Sequence, residues 1–387
     1  MDDILLATLD APTSVVEPAE SGELEDGETS GLRRIEVSSL DLHSNIRSHI
    51  TLTARVGPLR PVPNHLAISE GADVKGVWIS PCPDLIVGEV KEWAQAAGVG
   101  CVRIPAYWLE RNNMNQRIVI PPDPSEKVVY ALHGGAYARQ SAHPTDFTSN
   151  TPRGIMKYAY SVRRSLTLEY RLSKGPNFDV DLRNPFPAAL IDAIAGYNYL
   201  IHEVGFSPSQ IVVEGDSAGG NLALALVRYL AENRDMLDLP PPTAVVLLSP
   251  WVDLSSHSAS ERGSALANRG IDWIDITSAN MSTIVGNFVG SSGLVYADTN
   301  RYISPAAQNP EMEAVSYKNF PRTFISVGDC EVIKDQVHVL RKRMARDLGE
   351  AVEYDEPPGG VHNITVFPWY EPDRSVLLQK VAQWIDQ

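Results

Sequence analysis

Gly215-Asp216-Ser217-Ala218-Gly219 joins a β-branched run, Ile211-Val212-Val213, to an Ala- and Leu-rich run that begins at once. A strand that passes into a helix with no loop between them forces Ser217 into a sharp, strained turn, which small neighbours on both flanks make sterically possible. Its hydroxyl then projects above a sheet, and the helix start aims N–H groups and a positive dipole end at any anion formed beside it. A serine hydroxyl alone is a poor nucleophile and needs a general base and a group to orient that base. Of the nine histidines, His362 in PPGGVHNITVF is the best placed, in a Gly-rich loop after the last predicted strand and before the C-terminal helix. The orienting acid is expected in TFISVGDCEVIKDQ, after the preceding strand, where Asp329, Glu331 and Asp335 compete. Asp335 falls inside the following helix, where pairing along a solvated face is the plainer explanation. Glu331 and Asp329 both remain open. Fixed donors for an oxyanion are expected from His133-Gly134-Gly135-Ala136-Tyr137, whose paired glycines let backbone N–H groups turn inward. The N–H groups of Gly134, Gly135 and Ala136 would complement that of Ala218, with His133 a buried anchor of the loop.

The elements that must position these residues are a parallel sheet and its crossover helices. From residue 100 onward β-rich runs alternate with amphipathic ones, the pattern of a doubly covered sheet. Strands are predicted over 101–104, 117–120, 127–132, 165–170, 211–214, 244–248, 323–327 and 351–354, and helices over 187–204, 217–233, 333–348 and 374–385. Between 250 and about 317 the alternation lapses into a long, partly helical insertion. Residues 1–34 are rich in Glu, Asp, Ser, Thr and Gly and read as a disordered acidic arm. Residues 35–387 then form a single domain, whose segments at about 35–98 and 250–317 are expected to cap the site.

Composition sets outer limits. With 43% hydrophobic and 21% charged residues the chain is an ordinary globular mixture. A formal net charge of −15 argues against nucleic acid and against an anionic membrane surface, because both repel it. Small neutral ligands remain. The three cysteines, Cys82, Cys101 and Cys330, are odd in number and lack metal-ligand spacing, so neither a disulfide framework nor a metal site is suggested and a reducing compartment fits best; no cofactor is expected. The start, MDDILLATLDAP, is acidic where a secretory signal is basic, and a cytoplasmic protein without stable membrane insertion is the expectation.

HGGAY at 133–137 and GDSAGG at 215–220, in that order, with YRL at 170–172 and NPFPAALIDA at 184–193, resemble the hormone-sensitive-lipase-like branch of the α/β-hydrolases. The similarity covers roughly residues 75 to 387. It implies an α/β-hydrolase fold, a mostly parallel central sheet flanked by helices with a helical cap over the C-terminal strand ends. It also implies Ser217 as nucleophile and His362 as base. The family's usual D-P-L-x-D-[EQ] register falls on Glu331 to Gln336, so the resemblance places the acid at Glu331, with Asp329 second. Glutamate there adds one methylene of reach. Ala136 stands where the family has a third glycine and narrows the space beside it. SKGPNFDVDLR, between the two matching stretches, is longer and more polar than the family's link. The implied activity is metal-free hydrolysis of small-molecule carboxylic esters through an acyl-enzyme, by a monomer or homodimer. Two alternatives use the same fold: hydrolysis of an amide or formamide, as in arylformamidases, and ligand reception without turnover, as in plant gibberellin receptors. The latter resemblance includes loss of the histidine that is present here as His362.

Overall fold

The computed structural model describes residues 75–111, 121–173, 184–255, 263–276 and 279–387. All lie in one compact unit, Ser38–Gln387. The acidic arm, residues 35–74 of the N-terminal segment, the predicted strand at 117–120 and residues 174–183 of the polar link lie outside the described residues.

Eight strands make one sheet: β1 (Lys75–Ile79), β2 (Ile104–Glu110), β3 (Lys127–Leu132), β4 (Val162–Leu168), β5 (Ile211–Asp216), β6 (Ala244–Leu248), β7 (Arg322–Ser326) and β8 (Val352–Asp355). Their order is β1-β2-β4-β3-β5-β6-β7-β8. β2 runs antiparallel to both β1 and β4, and every other pairing is parallel. A parallel sheet covered on both faces needs strands apolar on both sides, and KVVYAL of β3 and AVVLL of β6 meet that need. Along β3 the alternation is plain. Val128, Tyr130 and Leu132 enter one core, whereas Val129 and Ala131 enter the other.

The first core is closed by α1 (Gly88–Ala97), α3 (Ala188–Asn198), α4 (Ala218–Glu232) and α9 (Lys334–Leu348). The second is closed by α2 (Asn150–Tyr158) and α10 (Asp373–Asp386). α3 and α4 are buried almost throughout, which fits their lack of a polar face. After β6 the described residues of the insertion include the α-helices α5 (Gly263–Ala267), α6 (Ala279–Val289), α7 (Leu294–Thr299) and α8 (Pro310–Glu313).

Topology fixes where a site can form. The chain moves from β3 outward to β4, then crosses back to place β5 on the opposite side of β3. Loops leaving the C-terminal ends of β3 and β5 therefore diverge from a crevice at the point of reversal, where open α/β sheets bind ligands. The β3–β5 register sets Leu132 against Gly215, so the glycine loop and the serine turn emerge side by side.

Two expectations need correction. The segment at 35–98 is not purely a cover: residues 75–79 form the edge strand β1, and Gly76 in KGVWI hides the alternation that would have marked it. Among the described residues of this segment, α1 packs its Trp93 on Phe186, Tyr296 and Tyr302. The strand predicted at 101–104 begins at Ile104 and runs on to Glu110 through Pro105, a residue that argues against strand when read locally.

Candidate active site

Ser217 has φ 52° and ψ −118°, outside the regions comfortable for an L-residue. Such a conformation costs about 1–3 kcal/mol and persists only where its surroundings over-determine it. Here the Ser217 N–H donates to the Leu248 carbonyl at 3.0 Å, and its own carbonyl accepts from Trp251 at 2.9 Å and Asn221 at 3.2 Å. Close approach also explains the flanking glycines. A Cβ on Gly215 would collide with the Gly219 carbonyl, and one on Gly219 with the carbonyls of Leu132 and His133.

Across 145 residues of sequence, His362 brings Nε2 to 2.9 Å from the Ser217 Oγ. Its Nδ1 lies 2.9 Å from Glu331 Oε2. The other Glu331 oxygen accepts from the Ser249 hydroxyl and from the Gly328 N–H, both at 2.6 Å. Glu331 is fully buried and His362 nearly so. Burial alone would lower the imidazole pKa, but the Glu331 hydrogen bond and the negative charges of Glu331, Asp272 and Asp216 outweigh it and raise the pKa above 6.5. The two rival carboxylates are engaged elsewhere. Asp329 accepts the Gly359 N–H at 2.7 Å and so ties the acid loop to the histidine loop. Asp335, exposed in the first turn of α9, accepts the Ser264 N–H at 2.7 Å, at the start of α5.

The loop after β3 is held from below. The Tyr170 hydroxyl donates to the His133 carbonyl at 2.6 Å and its ring stacks on the His133 imidazole. Burial pushes His133 down to about 4, so it is a neutral anchor. The Gly134 N–H, expected among the oxyanion donors, instead donates to Asp216 Oδ1 at 2.9 Å. Gly135 and Ala136 have φ of 106° and 54°, and among the described residues their N–H groups meet no acceptor. The Ala218 N–H opens α4, where no intrahelical acceptor exists. Tyr137 fixes the loop from its far side, donating to Asn221 Oδ1 at 2.7 Å and stacking on Phe288 of α6. Ring contacts thus lay the insertion over the glycine loop.

Four residues escaped the sequence reading. Asp216 receives Gly134 on one oxygen and the Asn363 amide, at 2.7 Å, on the other. Burial raises its pKa to about 7 against the pull of His362 and the Gly134 N–H. Ser249 bridges Glu331 to the Asn363 N–H. Asp272, from the insertion, accepts the His362 N–H at 3.1 Å. Asp216 lies inside the GDSAG motif and was the one detectable locally; the others join stretches far apart in sequence.

A family model described as alpha/beta hydrolase fold matches residues 129–366, well over half the chain. The chain belongs to the α/β-hydrolase fold family. This hydrolase is 31% identical over 321 residues, 80% of its length and 76% of the relative's, to the carboxylesterase/phospholipase LipF of Mycobacterium tuberculosis. It is 28% identical over 254 residues to an acetyl-hydrolase of Streptomyces hygroscopicus, covering 66% of this chain and 72% of that one. In fold the hydrolase is similar to a hormone-sensitive lipase from a metagenome library, with a TM-score of 0.61 and 21% identity over 90% of this chain and 98% of the other. Among the described residues no helix is long and apolar enough to cross a membrane.

Proposed function

We propose that this α/β-hydrolase cleaves carboxylic esters of small to medium-sized substrates with Ser217 as nucleophile, His362 as general base and Glu331 as the orienting acid. The observation that carries the reading is the unbroken path from Oγ to Nε2 and from Nδ1 to Glu331, each step 2.9 Å, ending on a serine held in a strained turn. His362 takes the Ser217 proton as Oγ attacks the acyl carbon, and the carbonyl electron pair moves onto oxygen. The N–H groups of Gly135, Ala136 and Ala218 receive that oxyanion, each contributing about 3 kcal/mol to the barrier reduction. Collapse expels the alcohol, protonated from His362 Nε2, and leaves an acyl-serine. Water then repeats the sequence with His362 as base, releasing the acid and restoring the serine. Glu331 keeps the proton on Nδ1, so that Nε2 is the free base, and stabilises the imidazolium as it forms.

The site needs no group beyond these side chains and N–H donors. A hydrolase of acyl esters is also the activity that names the Mycobacterium and Streptomyces relatives. α1 and the insertion at 250–317 form the cap that shapes the pocket, and a reducing, cytoplasmic setting suits the three free thiols. Ser217→Ala should lower p-nitrophenyl butyrate turnover by about five orders of magnitude or more. Undiminished turnover would remove Ser217 from the mechanism, and faster hydrolysis of a matched anilide than of the ester would move the activity to amides.

A further inference from the structure

The geometry points to Asp272 and Trp273 as positioning residues that clamp the peptide backbone of His362, so that the insertion after β6 sets the direction of the imidazole. This inference rests on the ester-hydrolase reading. Asp272 Oδ1 accepts the His362 N–H at 3.1 Å and the Trp273 N–H at 2.8 Å, while Oδ2 accepts the Val332 N–H, beside Glu331, at 2.9 Å. The Trp273 indole N–H donates to the His362 carbonyl at 2.6 Å. Both backbone polar groups of the histidine are therefore held by two consecutive side chains.

The grip extends to the acid loop. Asn268 donates its amide to the Glu331 carbonyl at 2.8 Å, and the Ser264 hydroxyl donates to the Val332 carbonyl at 3.1 Å. Asp272 is fully buried. A carboxylate so placed is expensive unless it is hydrogen-bonded and faces a cation, and here three N–H groups and the imidazole meet that need. Burial raises its pKa, opposed by His362 and reinforced by the nearby Glu331 carboxylate. The carboxyl groups facing the imidazole are Glu331 from the loop after β7, Asp216 from β5 and Asp272 from the insertion, with the Tyr370 phenol nearby held neutral by burial. As the imidazolium forms, Asp272 stabilises it through space while fixing its backbone. No local pattern marks this role, because the partner lies 90 residues away.

The full chain carrying Asp272→Asn or Trp273→Phe is compared with the unsubstituted protein by p-nitrophenyl butyrate hydrolysis from pH 5 to 9. Active sites are counted by fluorophosphonate labelling of Ser217, and thermal melts are recorded. In Asp272→Asn the turnover per labelled site should fall about 10- to 100-fold with KM little changed, and the acid limb of the pH profile should move to lower pH. In Trp273→Phe, which keeps the ring and loses one neutral hydrogen bond, turnover per site should fall about 3- to 10-fold with the limb unmoved. Wild-type turnover per site and an unmoved limb in Asp272→Asn would overturn the inference, even with a lowered melting temperature, since that is all a structural role would change. Absence of any Ser217 label in the unsubstituted protein would instead refute the ester-hydrolase reading, and the clamp would fall with it.

Discussion

Replacing Glu331 with glutamine changes one oxygen to an NH2 and leaves the volume alone. Three donors converge on the native carboxylate: the Ser249 hydroxyl and Gly328 N–H on Oε1, and His362 Nδ1 on Oε2. Glutamine has one acceptor oxygen to offer them. With that oxygen toward Ser249 and Gly328, two bonds survive and the NH2 faces Nδ1. The imidazole must then present a lone pair at Nδ1 and carry its proton on Nε2, where it can no longer accept from Ser217. In the opposite orientation the NH2 faces the Gly328 N–H, a fixed donor, and a buried bond is lost. The inactive tautomer is therefore favoured by about 1 kcal/mol or more. The corresponding loss in a serine-protease triad is about 10⁴-fold in turnover, equivalent to about 5 kcal/mol of barrier. Turnover of p-nitrophenyl butyrate per folded molecule is the assay, with Asp329→Asn as the control. The control should retain turnover within about threefold, because the Asp329 side chain bonds Gly359 and does not reach the imidazole. A Glu331→Gln enzyme within tenfold of the unsubstituted protein would refute the tautomer argument, and a greater loss in Asp329→Asn would reassign the acid.

Other expectations follow from the same geometry. His362 must be neutral to act as base and its pKa is raised, so kcat/KM should fall as pH drops through a midpoint above 6.5; an acid limb below 6.5 would contradict the electrostatics. Burial raises Asp216 and Glu169 to about 7 and Asp272 to about 6. The folded chain therefore holds protons between about pH 4 and 7 that the unfolded chain releases, and resistance to urea contributed by these groups should decline as pH rises through that window. A rise in the Glu169 contribution, isolated by comparing Glu169→Gln with the parent across pH, would contradict this. Gly219→Ala should destabilise the fold by about 3 kcal/mol or more in urea titrations, because its Cβ meets backbone carbonyls of Leu132 and His133 that cannot swing aside. A neutral effect would mean that α4 does not abut the end of β3 as described.

The central strands were legible because burial on both faces leaves a local trace. β3 and β6 are continuous apolar runs, and their predicted bounds coincide with the structure. The edge was not legible, since β1 is short, contains Gly76 and is specified by pairing with β2 rather than by its own pattern. Ser217, His362 and Glu331 could be singled out because each follows a strand end, and strand ends can be read; the structure brings these three side chains together. The partner of Gly134 is not legible: the sequence places its N–H near the serine turn but does not reveal that the Asp216 side chain takes it. Ser249, Asn363 and Asp272 were beyond reach because their partners are brought together by the order of the strands. Asn363 also sits in a glycosylation triplet, yet it is buried with its amide on Asp216, which leaves no room for a glycan.

The most direct test of the central claim is peptide mass spectrometry after treatment of the full chain with a fluorophosphonate, alone and after His362→Ala. The account predicts a single adduct, on Ser217, formed rapidly in the unsubstituted protein and about 10³-fold more slowly or not at all once the imidazole is gone. An adduct on another residue, or ester turnover that persists without any adduct on Ser217, would contradict it.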